Sequence, residues 1–327
     1  LTPVDSKLNQ DNEKRERICL MKVLSLFDGI SCGMLALNRA GIPVEKYDAF
    51  EIDRYAVQVS KKNFPEIVHH GNVFDGDFTK FQGCDLLIGG SPCTYWSIAK
   101  KDREINPDGE GFKLFMEFVR AWKESRCRYF LYENNYSIHQ NIKDEISNQL
   151  EVQPIMINSA LVSAQQRKRC YWTNIPNVTQ PEDKGILLND ILDNAVGWQE
   201  KSYCMTASYA KAVLYNTLKQ NQRTMAAVPV RIGEYGKGGQ GQRIYSVHGK
   251  SVTISANGGG QGAKTGLYKI DLPDGDYIIR KLTPIEAERL QTLPDNYTDG
   301  ISNTQRYKCI GNAWTVDVIT HILKGIL

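Results

Sequence analysis

The stretch Val23-Leu24-Ser25-Leu26-Phe27-Asp28-Gly29-Ile30-Ser31-Cys32-Gly33 decides the fold. Its first five residues form a short apolar run that stops at Asp28-Gly29. Beyond Gly33, the residues Met34, Leu35, Leu37 and Ala40 recur at helical spacing until Gly41. A run too short for a helix, a glycine turn and then a helical period read as strand, tight turn, helix. The alternation continues downstream. Tyr47 to Glu51 reads as a second strand and Ala56 to Asn63 as a second helix. Cys84 to Gly90 reads as a buried strand ending in glycines, and Phe112 to Glu124 as an amphipathic helix. Arg128 to Glu133, Pro154 to Ser159 and Arg169 to Thr173 read as further strands. Strands alternating with helices predict an α/β fold, a doubly wound and mostly parallel sheet. Ligands in such sheets sit beyond the carboxyl ends of the strands. Asp28, Glu51, Cys93 and Glu133 fall at those ends.

The chain has 327 residues, of which 41% are hydrophobic and 24% charged, enough for one large domain and a smaller one. Residues 1–20 form a polar leader, expected to be disordered or artefactual, with Met21 as the natural start. Residues 21–174 are expected to form the catalytic, cofactor-binding domain. The pattern changes near 175. Residues 231–270 hold six Lys or Arg against the single acid Glu234, and eleven glycines lie between 233 and 266. Tyr245, Val247, Val252 and Ile254 suggest short strands between glycine turns. This composition predicts a small, loop-rich, β-containing domain over 175–280. Thr283-Pro284-Ile285-Glu286 carries the signature of a capping box with proline at the first helical position. Residues 281–327 are expected to return to the first domain, ending in an apolar helix from Thr315 to Leu327.

Forty Lys and Arg against 37 Asp and Glu give a net charge of +3, too weak to announce a nucleic-acid partner by itself. No apolar run reaches the ~18 residues of a membrane-spanning helix, and no signal-peptide pattern opens the chain. The eight cysteines form no Cys-x-x-Cys pair and have no histidine at zinc-like spacing. This argues against a metal site and against a disulfide framework, and free thiols in a reducing cytosol are expected.

The turn at Phe27-Asp28-Gly29-Ile30 lacks the paired glycines that bring backbone close to a pyrophosphate. An acid beside a helix N-terminus repels phosphate. Glu51, closing the next strand, suits ribose hydroxyls, and Ile52 offers an apolar face to an adenine. These features favour S-adenosylmethionine over a dinucleotide, although a glycine turn and a strand-end acid are common in any α/β protein. At the chemical end, Pro92 fixes the backbone before Cys93, which lies just past a buried strand. A cysteine beside a ligand cleft is a candidate nucleophile, whereas most cysteines pack. Glu133 is a candidate general acid, or an ordinary strand-end acid paired with arginine. Gln165, Arg167 and Arg169 alternate along an expected strand and would share one face. They read as a solvated edge or as a clamp on phosphate or a carbonyl oxygen.

Taken together and in order, these residues resemble the DNA cytosine-C5 methyltransferase family, from about Lys22 to Ile326. Phe27-x-Gly29 resembles its first motif, Glu51 the ribose-binding acid, and Pro92-Cys93 the catalytic Pro-Cys. Leu114-Phe115 resembles the helix motif beside the cofactor. Glu133-Asn134 resembles Glu-Asn-Val, Gln165-x-Arg167-x-Arg169 resembles Gln-x-Arg-x-Arg, and Gly311-Asn312 resembles the closing Gly-Asn. Three departures stand out. Asn72 of Gly71-Asn72-Val73 replaces an aspartate, Thr94-Tyr95-Trp96-Ser97 replaces Gln-x-Phe-Ser, and Asn135 replaces a valine.

The resemblance implies a Rossmann-like domain and methyl transfer from S-adenosylmethionine to C5 of a flipped cytosine in duplex DNA. It implies that Cys93 adds to the base and Glu133 engages N3. Arg167 would hold the base carbonyl or the adduct, Arg169 would position Glu133 or phosphate, and Gln165 and Asn134 complete the catalytic set. The cofactor would meet Phe27, Asp28, Gly29, Ile30, Glu51, Ile52, Asn72, Val73, Pro92, Leu114, Asn312 and Ala313. Arg231, Lys237, Arg243, Lys250 and Lys264 would meet DNA. A monomer in the cytoplasm of a bacterium or a phage-infected host is implied, with no metal and no membrane. A cognate restriction endonuclease is left open. So are an RNA cytosine methyltransferase, a C5 modifier carrying another group, and a catalytically silent DNA-binding regulator.

Overall fold

The computed structural model describes residues 20–97, 102–229, 231–234, 243–245 and 277–327. Residues 1–19 of the leader and the expected strand residues Val247, Val252 and Ile254 lie outside them, as do Lys237, Lys250 and Lys264. The described residues divide into two compact units. One comprises the chain to Ile157, Arg169–Gln180 and Ile319–Leu327, and the other Asn158–Lys168 and Pro181–Val318.

The first unit is built on β1 (Met21–Leu26), α1 (Cys32–Ala40), β2 (Val44–Phe50), α2 (Arg54–Asn63), β3 (Val68–His69) and β4 (Leu86–Gly89). It continues with α3 (Glu110–Ser125), β5 (Tyr129–Asn135), α4 (Gln140–Leu150), β6 (Ile155–Asn158) and β7 (Lys168–Thr173). The seven strands lie in the order β3-β2-β1-β4-β5-β7-β6. Pairings from β3 through β5 are parallel, and β7 runs antiparallel to β5. The doubly wound, mostly parallel sheet is therefore the fold the alternation predicts. Strand β1 lies inside the sheet between β2 and β4, and Val23, Leu24, Ser25 and Leu26 are almost fully buried. A central parallel strand is covered on both faces, so it reads as a continuous apolar run. Helix α3 buries Phe115, Phe118, Val119 and Ala121, and the first two rings pack 5.1 and 5.0 Å from that of Tyr132 on β5. Burying one such side chain contributes roughly 1.5–3 kcal/mol.

Two sequence expectations fail here. Cys84 and Cys127 are paired as a disulfide, with Cα atoms 4.8 Å apart. They precede the neighbouring strands β4 and β5, so the sheet itself sets their sulfurs side by side. And β7 begins only at Lys168, so Gln165 and Arg167 are not strand residues sharing a face with Arg169. Both are buried rather than on a solvated edge.

In the second unit, α5 (Leu214–Gln220) precedes β8 (Met225–Pro229), β9 (Arg231–Glu234), β10 (Arg243–Tyr245) and β11 (Tyr277–Lys281). Strands β9 and β10 pair with each other, and β8 pairs with β11, both antiparallel. The expected capping box opens α6 (Pro284–Leu290): Thr283 Oγ1 accepts from the Glu286 amide, and Glu286 Oε2 accepts from the Thr283 amide. Helix α7 (Asn303–Asn312) carries Gly311 and Asn312, and α8 (Val316–Leu323) follows. Beyond Val318 the chain belongs to the first unit, where Thr320 Oγ1 donates to the Ala36 carbonyl.

Candidate active site

Strand β4 ends at Gly89, whose partner on β5 is Tyr132. Ser91, Pro92 and Cys93 follow β4, while Glu133 and Asn134 continue β5 beyond Tyr132, so the Cys93 loop and these two residues stand at the same end of the sheet. Cys93 is partly exposed and opens a single 3₁₀ turn, its carbonyl accepting from the amides of Trp96 and Ser97. Trp96 is fully buried, and its indole donates to Glu104 Oε2 at 3.1 Å.

Successive residues of β5 face opposite sides of the sheet. Tyr132 and Asn134 turn to the Cys93 loop. The Tyr132 hydroxyl lies 2.7 Å from Ser91 Oγ, and Asn134 Nδ2 donates to the Ser91 carbonyl and to the Tyr132 hydroxyl, each at 3.2 Å. Glu133 pairs through Oε1 with Arg169 Nε at 2.9 Å. The antiparallel register, with Glu133 opposite Tyr171 and Asn135 opposite Arg169, delivers that guanidinium.

Arg167 and Gln165 belong to the second unit, and their partners there are the chain's own. Arg167 Nη1 donates to the Met205 carbonyl, and Nη2 to the carbonyls of Ala313 and Gly311, at 2.9, 2.9 and 3.3 Å. Nη1 also lies 3.3 Å from the Cys204 sulfur. Gln165 Nε2 donates to the Leu290 carbonyl and to Gln291 Oε1, and its oxygen accepts from the Met205 amide. The Gly-Asn motif has a steric origin in this unit. A Cβ on Gly311 would stand 2.2 Å from the Thr206 carbonyl carbon and from the Ala207 nitrogen.

The turn after β1 is folded tightly. Phe27, Gly29 and Ser31 all have positive φ, at 56°, 60° and 61°. Only glycine adopts that region without steric cost. The Asp28 carboxylate faces inward and accepts from Ser25, Ser31 and Tyr47 hydroxyls, at 2.7, 2.5 and 2.7 Å. Burial raises its pKa, and the three hydroxyls pull the other way. At the end of β2, Glu51 accepts from the amides of Gly29, Ile52 and Asp53, each at 2.8 Å. Burial likewise raises its pKa against those amides. A carboxylate has about four acceptor positions, so one remains for a ligand. Beside it Ile52 is 76% exposed, an apolar face without cover among the described residues. A fixed carboxylate with a spare acceptor position next to a bare apolar side chain fits the ribose and adenine of S-adenosylmethionine.

Asn72 is exposed and caps a 3₁₀ turn through Oδ1 to the Phe74 amide. Val73 is buried in the core, and Leu114 on α3 is partly buried. Arg231 and Arg243 lie on β9 and β10. Ser25, Ser31, Tyr47, Ser91 and Tyr132 are not legible as site residues in the sequence, since hydroxyl residues in buried strands and turns carry no local mark of their partners. Among the described residues no group of three or more His, Cys, Asp or Glu side chains could hold a metal ion, and no helix is long and apolar enough to cross a membrane.

Known proteins resemble the chain along most of its length. The sequence model of C-5 cytosine-specific DNA methylases matches residues 21–327. The chain is 30% identical to the type II methyltransferase M.HhaI of Haemophilus parahaemolyticus, over 96% of both chains. It is 28% identical to the type II methyltransferase M1.ScrFI of Lactococcus lactis subsp. cremoris, over 94% of this chain and 78% of that one. The solved structure of the Entamoeba histolytica methyltransferase EhMeth superposes with a TM-score of 0.64 at 18% identity, covering 94% of this chain and 98% of that one, a likeness of fold. The chain belongs to the C-5 cytosine-specific DNA methylase family. It is a DNA (cytosine-5-)-methyltransferase, and S-adenosylmethionine is the methyl donor of this family.

Proposed function

We propose that the chain methylates C5 of a cytosine turned out of duplex DNA through a transient bond between Cys93 and the base. What supports this reading above all is the parallel pairing of β4 with β5, which carries the Cys93 loop and Glu133 to one end of the sheet. The C6 face of a stacked cytosine is closed to a thiolate, so the base is extruded at a cost of a few kcal/mol. Cys93 adds to C6, and Glu133 engages N3, leaving C5 electron-rich. General acid assistance of this kind is worth about 10²–10⁴-fold. Arg169 holds the Glu133 carboxyl in place. C5 takes the methyl, a base such as water then accepts the C5 proton, and the C6–sulfur bond breaks so that Cys93 leaves and the ring is restored.

When bound, S-adenosylmethionine would supply an electrophilic methyl on sulfonium. Glu51 and Ile52 would hold its ribose and adenine. Phe27, Asp28, Gly29 and Ile30 form the turn that would meet it, and Asn72, Val73, Pro92, Leu114, Asn312 and Ala313 are the remaining candidates. Arg167 and Gln165 act by bracing residues 205 and 290–313. Arg231, Lys237, Arg243, Lys250 and Lys264 contact the duplex, in a stretch where positive charge is concentrated.

The test is a duplex carrying 5-fluorocytosine at the target, located by bisulfite sequencing of DNA from a host expressing the chain. The protein should be trapped covalently, and Cys93→Ala should abolish trapping. Trapping by transfer RNA but not by duplex DNA would overturn the choice of substrate. Mass analysis of the product nucleoside would reveal any group other than methyl.

A further inference from the structure

We infer that Tyr132 is a positioning residue for the nucleophile: its hydroxyl, through Ser91, sets the Cys93 loop against the strand that bears Glu133. The inference rests on the reading of Cys93 as nucleophile, but Tyr132 and Ser91 lie outside every motif on which that reading was built.

Tyr132 is fully buried and Ser91 is 4% exposed, so neither hydroxyl has water as an alternative partner. The Tyr132 ring is boxed by Phe115, Phe118 and Trp172, with centroids 5.1, 5.0 and 5.9 Å away. It has no room to swing, so the hydroxyl is presented at a fixed point. Asn134 donates into the phenol oxygen, which leaves the phenol hydrogen for Ser91 Oγ. Burial raises the Tyr132 pKa, so the phenol keeps that hydrogen at ordinary pH. Asn134 also holds the Ser91 carbonyl, so the residue two before Cys93 is gripped at its backbone and its side chain.

The grip is stiff for a loop. Further along the loop the Cys93 carbonyl accepts from the amides of Trp96 and Ser97. A sulfur that must approach one ring carbon while a carboxyl meets the ring nitrogen depends on the relative setting of two segments. A displacement of about 1 Å costs such a reaction about 10²-fold. Tyr132 and Ser91 fix that setting without touching substrate.

The experiment compares Tyr132→Phe, Ser91→Ala and the double variant in single-turnover trapping by the 5-fluorocytosine duplex. Phenylalanine keeps the packed ring and removes only the hydroxyl. We expect trapping and kcat to fall by about tenfold to 10²-fold, with KM for DNA and cofactor affinity unchanged. The double variant should fall no further than the worse single one, because both remove one bond. Wild-type trapping by Tyr132→Phe overturns the inference. So does an equal loss in cofactor affinity, which marks a merely structural role. Should Tyr132→Phe fail to fold, Ser91→Ala decides by the same criteria. Failure of the parent reading is distinct, since the unmodified chain would then not be trapped at all.

Discussion

Arg169 Nε lies 2.9 Å from Glu133 Oε1, and the two side chains are only 13% and 12% exposed. A pair so sheltered is held in one geometry, and removing one member leaves the other charge poorly solvated. The pair also joins two strands of opposite direction, so the orientation of Glu133 depends on the β5–β7 register.

Glu133→Gln should lower the single-turnover methylation rate by about 10²–10⁴-fold while cofactor affinity holds. Arg169→Ala should lower it as well, because the carboxyl loses its fixed orientation. The two losses should not add, since residues in one ion pair couple. Additive losses in a double-mutant cycle would separate the two roles.

Arg167 and Gly311 make a structural prediction within the second unit. The guanidinium gathers carbonyls from 205, 311 and 313, while Gly311 lets residues 206 and 207 pass without a Cβ between them. Gly311→Ala sets a methyl against backbone, which cannot yield as a side chain does. Such overpacking costs about 1–3 kcal/mol. Arg167→Ala removes hydrogen bonds from a charged group, each worth about 1.5–3 kcal/mol. Both should shift the urea midpoint downward, and an unchanged midpoint for either would remove it from the brace.

The contrast between Arg167 and Glu133 shows which parts of the chain can be read locally. Glu133 and Cys93 end apolar runs, and the ends of buried strands are where parallel sheets place chemistry, so both are visible in the sequence. The turn at Phe27 is visible for the same reason. Arg167 is not, because the alternation from 165 to 169 imitates a strand that starts only at Lys168. The partners of its guanidinium are at least 37 positions away along the chain, beyond the reach of any local pattern. Tyr132 reads as one more core aromatic, and its hydroxyl acquires a role only once β4 and β5 are neighbours. Helix α4 is polar along much of its length, so its buried face, Ile142, Ile146 and Leu150, carries too few apolar positions to announce it.

The disulfide follows from the same neighbourhood. A Cα separation of 4.8 Å lies within the range that a disulfide bridges, about 4.4–6.8 Å. Peptide mapping of the unreduced protein should recover Cys84 and Cys127 linked to each other. Cys127→Ser should lower stability by about 2–4 kcal/mol in non-reducing buffer. The effect should shrink once the parent protein is itself reduced. Recovery of the two cysteines as separate thiols would refute the pairing.

Asp28 ties the cofactor turn to pH. Burial raises its pKa from the ordinary value of 3.8, against the pull of Ser25, Ser31, Tyr47 and the more distant His69. Below that ordinary value the group is protonated in both folded and unfolded chains. As pH rises, the unfolded chain releases the proton first, so folding loses free energy until the folded group also ionises. The stability that Asp28 contributes is therefore present in acid and lost as pH climbs through its raised folded value. Glu51, also raised by burial, acts with the same sign. Asp28→Asn keeps the shape and removes the titration. It should shift Tm by an amount set by the altered hydrogen bonds with Ser25, Ser31 and Tyr47, and it should flatten the decline of Tm with rising pH on the acid side of neutrality. Parallel Tm–pH curves for the two proteins, measured by calorimetry from about pH 4 to about pH 8, would show that the buried carboxyl is not what the acid side of the curve reports.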